Sequence, residues 1–177
     1  MLDVSVSYNR FKFLGNEFLT WLWYVIENNG EELQKTPLKD ISLAVGNRIA
    51  FEKYADNRSE SITIKGDDAS LEEGRLALKK GAVVIEINLC LLSENQKWQF
   101  NLKGESLNFS SLKTPATGAV ELKEDIEGAI FEKIYLYEKA FSAIDSLYDQ
   151  FIKIRVSEKW NHKVIPQIKK WIQTQNG

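Results

Sequence analysis

Apolar residues recur along this 177-residue chain with two periods, and the change of period separates helical from sheet-forming segments. Nearly every position of 16–28 is apolar, which predicts a helix buried on several sides or shared with a partner. Gly15 is a plausible break before this helix and Asn16 its N-cap, because an Asn side chain accepts hydrogen bonds from first-turn amides. An Asn-Asn-Gly sequence ends the helix with residues that tolerate the left-handed conformation.

A period of two predicts about six short strands in the next part of the chain. The predicted strands are 41–45, 49–54, 61–65, 82–92, 98–102 and 106–112. Gly46 and Asn47 are a hairpin signal between the first two. A capping-box pattern at Ser70 predicts a short helix, which ends at the Lys-Lys-Gly that closes on Gly81.

Beyond a linker at 112–118, one long helix is predicted from Leu122 to about Val156. Its apolar stripe repeats at steps of four and three, as in a coiled coil. The stripe comprises Ile126, Ile130, Ile134, Tyr137, Phe141, Ile144, Tyr148 and Phe151. A helix of about 30 residues spans roughly 45 Å, so we expect part of it to pack on another helix or chain. A final helix is predicted from Pro166 to Thr174.

These elements predict a single α+β domain over 1–177, with helix and sheet in 1–117 and a helical region in 118–177. The sheet is expected to be largely antiparallel and meander-like, with a buried N-terminal helix beside it. Hydrophobic residues make up 44% and charged residues 27% of the chain, which is ordinary globular usage. No apolar run approaches the ~20 residues of a membrane span, and 1–25 lack a signal-peptide pattern. A lone cysteine, Cys90, fits a reducing cytoplasm.

The residues that catalysis would need are few. His162 is the only histidine and lies between cations, no glycine-flanked serine resembles a nucleophile elbow, and no phosphate loop is present. We therefore expect a protein without enzymatic activity, cofactor, metal or small-molecule substrate. One alternative is a magnesium-dependent nuclease that uses Asp67, Asp68 and Glu72. Helix capping and the helix dipole account for the same carboxylates.

Charge is distributed unevenly along the chain. The whole chain carries −2, whereas the segment from Lys153 onward holds six cations and one anion. The six cations are Lys153, Arg155, Lys159, Lys163, Lys169 and Lys170. Interleaved with Trp160 and Trp171, they suit binding to a phosphate backbone, with flat rings for packing or stacking. A solvated basic helix face that pairs with the acidic long helix is the alternative.

The segment Phe13–Trp23, FLGNEFLTWLW, resembles the opening of the C-terminal half of RdgC-like recombination-associated proteins. Further short matches follow in the same order over nearly the whole chain. They are Gly66-Asp67, Lys79-Lys80-Gly81, Leu112-Lys113, Phe131-Glu132, Leu147-Tyr148 and 168–172. The resemblance implies a nucleoid-associated bacterial or phage protein, a homodimer that encircles duplex DNA without sequence preference and restrains recombinase filaments. Family members are longer, and we expect this chain to lack the N-terminal half that helps to close the ring.

The sequence-based expectation is a sequence-non-specific DNA-binding homodimer that modulates recombination. Two copies of the basic segment can line one groove, which offsets the net negative charge. The alternative is a protein-interaction module without DNA binding. Aromatic residues of both long apolar helices are expected to form core or dimer interface: Phe18, Trp21, Trp23, Tyr137, Phe141 and Tyr148. Since Trp21 and Trp23 cannot share one helical face, we expect them to pack against different neighbours.

Overall fold

The protein is an antiparallel sheet that packs against helices from both ends of the chain. The computed structural model describes residues 4–28, 41–55, 58–66, 69–118 and 125–174. The elements are α1 (Val4–Asn28), β1 (Ile41–Ala55), β2 (Arg58–Lys65), α2 (Ala69–Lys79), β3 (Val83–Ser93), β4 (Gln96–Lys103), β5 (Phe109–Lys113), α3 (Asp125–Arg155), a π-helical turn (Trp160–Val164) and α4 (Ile165–Gln173). The predicted α+β class, buried N-terminal helix and long C-terminal helix are confirmed.

The sheet has the strand order β2-β1-β3-β4-β5, and all neighbouring strands are antiparallel. Strands β3, β4 and β5 form a meander, and β1 joins it at the free edge of β3. The described residues contain five strands rather than about six. The prediction of a hairpin at Gly46 and Asn47 was wrong, because β1 runs through both residues without turning.

Gly46 serves a close approach between strands and not a turn. Val45 pairs with Leu89 and Ile49 pairs with Ile87, so three residues of β1 bulge opposite Asn88 alone. A Cβ atom at Gly46 would lie 1.9 Å from Asn88 Oδ1. The bulge therefore needs a residue without a side chain, and the strand continues beyond it.

The first helix is longer than predicted, since it begins at Val4 and continues through Gly15. The break at Gly15 and the N-cap at Asn16 were therefore wrong, whereas the end at Asn28 is confirmed. Gly15 lies against Gly104, and a Cβ atom at Gly15 would be 1.7 Å from the Gly104 carbonyl oxygen. A glycine in the middle of this helix lets the α1 backbone contact the turn that follows β4.

Helix α1 lies between the sheet and α3, which explains why it is apolar on all sides. Trp21 packs on Phe151 of α3, with ring centroids 5.7 Å apart. Trp23 packs instead on Phe51 of β1 and on Trp171 of α4. The two tryptophans thus contact different neighbours, as their spacing predicted. Residues of the sheet, α1, α3 and α4 all belong to one buried cluster.

A carboxylate of α1 holds the last helix in place. Glu27 Oε1 accepts a hydrogen bond from Trp23 Nε1 at 2.5 Å, and Glu27 Oε2 accepts one from Trp171 Nε1 at 2.7 Å. The two indole rings meet edge to face, with centroids 5.0 Å apart. Both buried N–H groups are therefore satisfied by one side chain.

Candidate functional site

Five of the six predicted DNA-contacting cations form one exposed stretch of the chain. Lys153 lies in the last turn of α3, Lys159 and Lys163 lie in or beside the π-helical turn, and Lys169 and Lys170 lie on α4. All five side chains are exposed. We call these five residues the basic C-terminal surface.

The amphipathic pattern of α4 directs its lysines toward solvent. Ile168 and Trp171 are buried against the core, so the neighbouring Lys169 and Lys170 point away from it. Trp160 anchors the preceding π-helical turn in the same way, since its ring is buried and packs edge to face on Phe151. The apolar residues fix the backbone and leave the cations free to meet a ligand.

The sixth cation, Arg155, is placed differently. Its Nε donates a hydrogen bond to Glu17 Oε2 of α1 at 2.6 Å. Its guanidinium carbon lies 5.2 Å from the centroid of the Trp160 ring, within the range of a cation–π contact. Arg155 thus joins α3 to α1 and is half-buried. We leave it out of the basic C-terminal surface.

The five lysines are electrostatically unpartnered within the chain. Over the described residues none of them takes part in an ion pair; the pairs there are Arg48 with Glu86 and Arg155 with Glu17. A phosphate that approached this surface would therefore not have to displace a carboxylate. Glu158 is the one acidic residue from Lys153 onward, and it is also exposed.

The six predicted aromatic residues separate into two groups. Phe18, Trp21 and Trp23 are fully buried in the core. Tyr148 is half-buried, and its ring meets that of Phe18 edge to face at 5.1 Å. This burial raises the pKa of the Tyr148 hydroxyl above the ordinary tyrosine value of 10.0.

Tyr137 and Phe141 lie nearer the surface. Phe141 is 41% exposed and packs edge to face on Phe109 of β5, with centroids 4.6 Å apart. Beyond them, toward the start of α3, large apolar side chains are exposed. We call these residues the α3 apolar face: Ile126, Ile130, Phe131, Ile134 and Tyr135.

A polar cleft on the outer face of the sheet was not predicted. Its floor is a row of paired residues across four strands, namely Thr63 of β2, Ala50 of β1, Glu86 of β3 and Lys103 of β4. The cleft has a volume of about 330 Å³. Its walls add Asn16, Arg48, Glu52, Ser61, Ile85 and Glu105. Only the strand register brings these residues together, and the linear sequence carries no signal of it.

A second cleft, of about 440 Å³, lies between α1, the π-helical turn and α4. Its walls are mostly apolar and include Phe13, Val83, Trp160 and Ile168. We call it the apolar cleft. Asn16 borders both clefts.

The structure also places the residues of the nuclease alternative in part. Glu72 is exposed on α2, whereas Asp67 and Asp68 lie outside the described residues. Within the described ranges no group of three or more acidic, histidine or cysteine side chains could hold a metal ion. His162 is exposed, and Cys90 is half-buried in β3. None of the helices described here has the length and apolar character needed to cross a bilayer.

Comparison of the chain with protein-family models, with characterised proteins and with solved structures finds no match.

Proposed function

We propose that this is a cytoplasmic, non-enzymatic protein that binds DNA without sequence preference, acts as a homodimer and modulates recombination. The observation that carries the proposal is the basic C-terminal surface, with five exposed lysines that form no ion pair in the described part of the chain. The resemblance of Phe13–Trp23 to RdgC-like proteins supports the recombination role.

The mechanism is electrostatic. Lysine ammonium groups neutralise backbone phosphates, and the release of condensed counterions drives affinity. Lys163 and Lys170 are two helical turns apart, about 10 Å along the axis, so one surface reaches several phosphates. Contacts of this kind position the duplex and do not read base edges, which is why no sequence preference is expected.

A homodimer would double this surface and offset the net charge of −2. The α3 apolar face supports it, because its side chains, with Phe141, offer roughly 700 Å² of apolar surface. Each partner of a standard interface buries about 800 Å². A two-fold pair of identical faces is the commonest arrangement of soluble oligomers.

The test of DNA binding is fluorescence anisotropy with a labelled random-sequence duplex, over a salt series from about 50 to 200 mM. We expect affinity to fall steeply with salt. In the Lys169→Glu/Lys170→Glu variant the slope of log affinity against log salt should fall by about 2, one for each lost contact.

The matched control is Lys97→Glu/Lys113→Glu, which changes the net charge equally at two exposed lysines of the sheet. It should retain the full slope. Failure to bind at the lowest salt would overturn the proposal, as would equal weakening by both variants. The same duplex incubated with Mg²⁺ should stay intact; cleavage that is lost on Asp68→Ala would establish the nuclease alternative instead.

The dimer is tested by sedimentation equilibrium. Ile130→Glu/Ile134→Glu should convert the dimer to a monomer, because it places four carboxylates in the paired α3 apolar faces. The control Ile62→Glu/Leu92→Glu changes two equally exposed apolar residues of the sheet and should leave the dimer intact. A monomeric parent protein would contradict the proposal.

The second candidate is a protein-interaction module without DNA binding, and the exposed α3 apolar face favours it. It predicts self-association or partner binding that depends on Ile130 and Ile134, together with no anisotropy change on adding duplex. The two assays above therefore separate the two functions.

A further inference from the structure

Buried polar atoms without hydrogen-bond partners are concentrated at the polar cleft of the sheet. Asn16 Oδ1, Arg48 Nε and Glu86 Oε1 are each shielded from solvent and lack such a partner, and all three residues line this cleft. Buried polar groups in folded proteins are almost always satisfied, so three exceptions at one place require an explanation. A bound polar molecule would supply it.

The backbone at this place is shaped in a way that suits a binding site. Ala50 pairs with Glu86 and Phe51 with Val84, so Ile85 has no partner on β1 and forms a bulge. Bulges redirect neighbouring side chains and are frequent beside functional sites. The small side chain of Ala50 leaves the depression open at its centre, between the larger side chains of the adjacent strands.

The charges of the cleft are mixed, and this restricts the ligand. Arg48 and Lys103 supply cations, whereas Glu52, Glu86 and Glu105 supply carboxylates. Arg48 Nη1 lies 3.2 Å from Glu86 Oε1 in an ion-pair contact. A purely anionic ligand would meet the carboxylates, and a purely cationic one would meet Arg48 and Lys103. A zwitterion would find a partner for each of its charges.

We propose that the polar cleft binds a small zwitterion of the α-amino-acid class. The ligand's carboxylate accepts a hydrogen bond from Arg48 Nε, and its ammonium donates to Glu86 Oε1 and Asn16 Oδ1. The contact between Arg48 and Glu86 matches a ligand whose two charged groups sit on one carbon atom. The volume of about 330 Å³ is at the small end of ligand sites.

Binding requires a rotation of the side chains that carry the unpartnered atoms. The Arg48 side chain is 38% exposed and that of Glu86 is 12% exposed, so Arg48 has the freedom to turn first. Glu52 remains in place, because it accepts a hydrogen bond from Ser59. The ligand would thus insert between Arg48 and Glu86 and separate their direct ion pair.

The experiment is a titration of ¹⁵N-labelled protein with L-alanine, L-serine and L-glutamine up to about 10 mM, a range suited to millimolar affinity. We expect saturable amide shifts at Ala50, Thr63 and Lys103 with at least one of them. Propionate and ethylamine, which are L-alanine without its ammonium or its carboxylate, should bind at least tenfold more weakly.

Two variants locate the contacts. Arg48→Lys keeps the charge but removes Nε, and Glu86→Gln keeps the shape but removes the charge; each should weaken binding at least tenfold. Glu138→Gln, at an exposed position of α3, is the matched control and should bind like the parent. The parent titration stands even where a variant fails to fold.

Three results would overturn the proposal. The first is the absence of saturable shifts with all three amino acids, which would mean that water alone fills the cleft. The second is a set of shifts centred on Trp160 and Ile168 in the apolar cleft. The third is propionate or ethylamine binding as tightly as L-alanine.

Discussion

The two halves of α3 carry one continuous apolar repeat and lie in opposite surroundings. In the second half Leu147 and Phe151 are buried beneath α1, whereas in the first half Ile130 and Phe131 are more than half exposed. The boundary lies at Leu136, whose carbonyl oxygen accepts a hydrogen bond from Trp98 Nε1 of β4 at 2.9 Å. An apolar repeat thus predicts that a helix needs a partner, but it does not identify the partner.

The largest effect is expected in the buried half. Phe151→Ala removes a ring that contacts Phe18, Trp21 and Trp160, and should lower the free energy of unfolding by about 3–5 kcal/mol. Urea denaturation followed by circular dichroism measures it. A loss below about 1 kcal/mol would mean that α3 does not depend on α1 for its stability.

A smaller effect is expected at the boundary. Trp98→Phe removes the hydrogen bond to the Leu136 carbonyl and the contact with the Lys139 ammonium, 5.1 Å from the ring centroid. We expect a loss of about 1–2 kcal/mol in urea denaturation. Native-state hydrogen exchange should show faster exchange just after Leu136 and little change before Ile134. Uniform acceleration along α3 would contradict a boundary at this position.

In the exposed half we expect almost no change in the stability of the monomer. Ile130→Glu/Ile134→Glu should alter the free energy of unfolding by no more than about 0.5 kcal/mol at concentrations where the parent is monomeric. The same variant is the one expected to abolish the dimer. A loss of several kcal/mol in the monomer would show that this half is part of the core.

The smallest effect concerns Tyr148, in the buried half. Because burial raises its pKa, the folded state holds the phenolic proton more tightly than the unfolded state does. Its contribution is therefore fully present below about pH 10 and is lost as the pH rises through the folded pKa. Urea midpoints near pH 9 and pH 11 should differ less in Tyr148→Phe than in the parent. The exposed control, Tyr135→Phe, should keep the parent's pH dependence.

Local periodicity predicted much of this fold from the sequence. The separation of Trp21 from Trp23 by two positions was enough to assign them different neighbours, and capping patterns located α2. The two wrong predictions both concern glycines. Gly15 and Gly46 resemble a break and a turn, but each instead permits contact with a backbone or side chain that is distant in sequence.

The candidate sites divide along the same line. Counting charges found the five exposed lysines, because helix amphipathicity is a local property. Counting could not reveal that Arg155 is held by Glu17, 138 positions away. The polar cleft depends on strand register and on a bulge at Ile85, so its residues become neighbours only once the sheet has formed.

The hydrogen bond between Glu27 and Trp171 has a consequence for synthesis on the ribosome. The two residues are 144 positions apart, and translation at 5–20 residues per second needs roughly 7–30 seconds to cover that distance. During that interval the aromatic surface of α1 is made but its covering helix is not. Nascent chains should therefore engage chaperones until α4 emerges, and slowing translation of the last third of the message should increase aggregation.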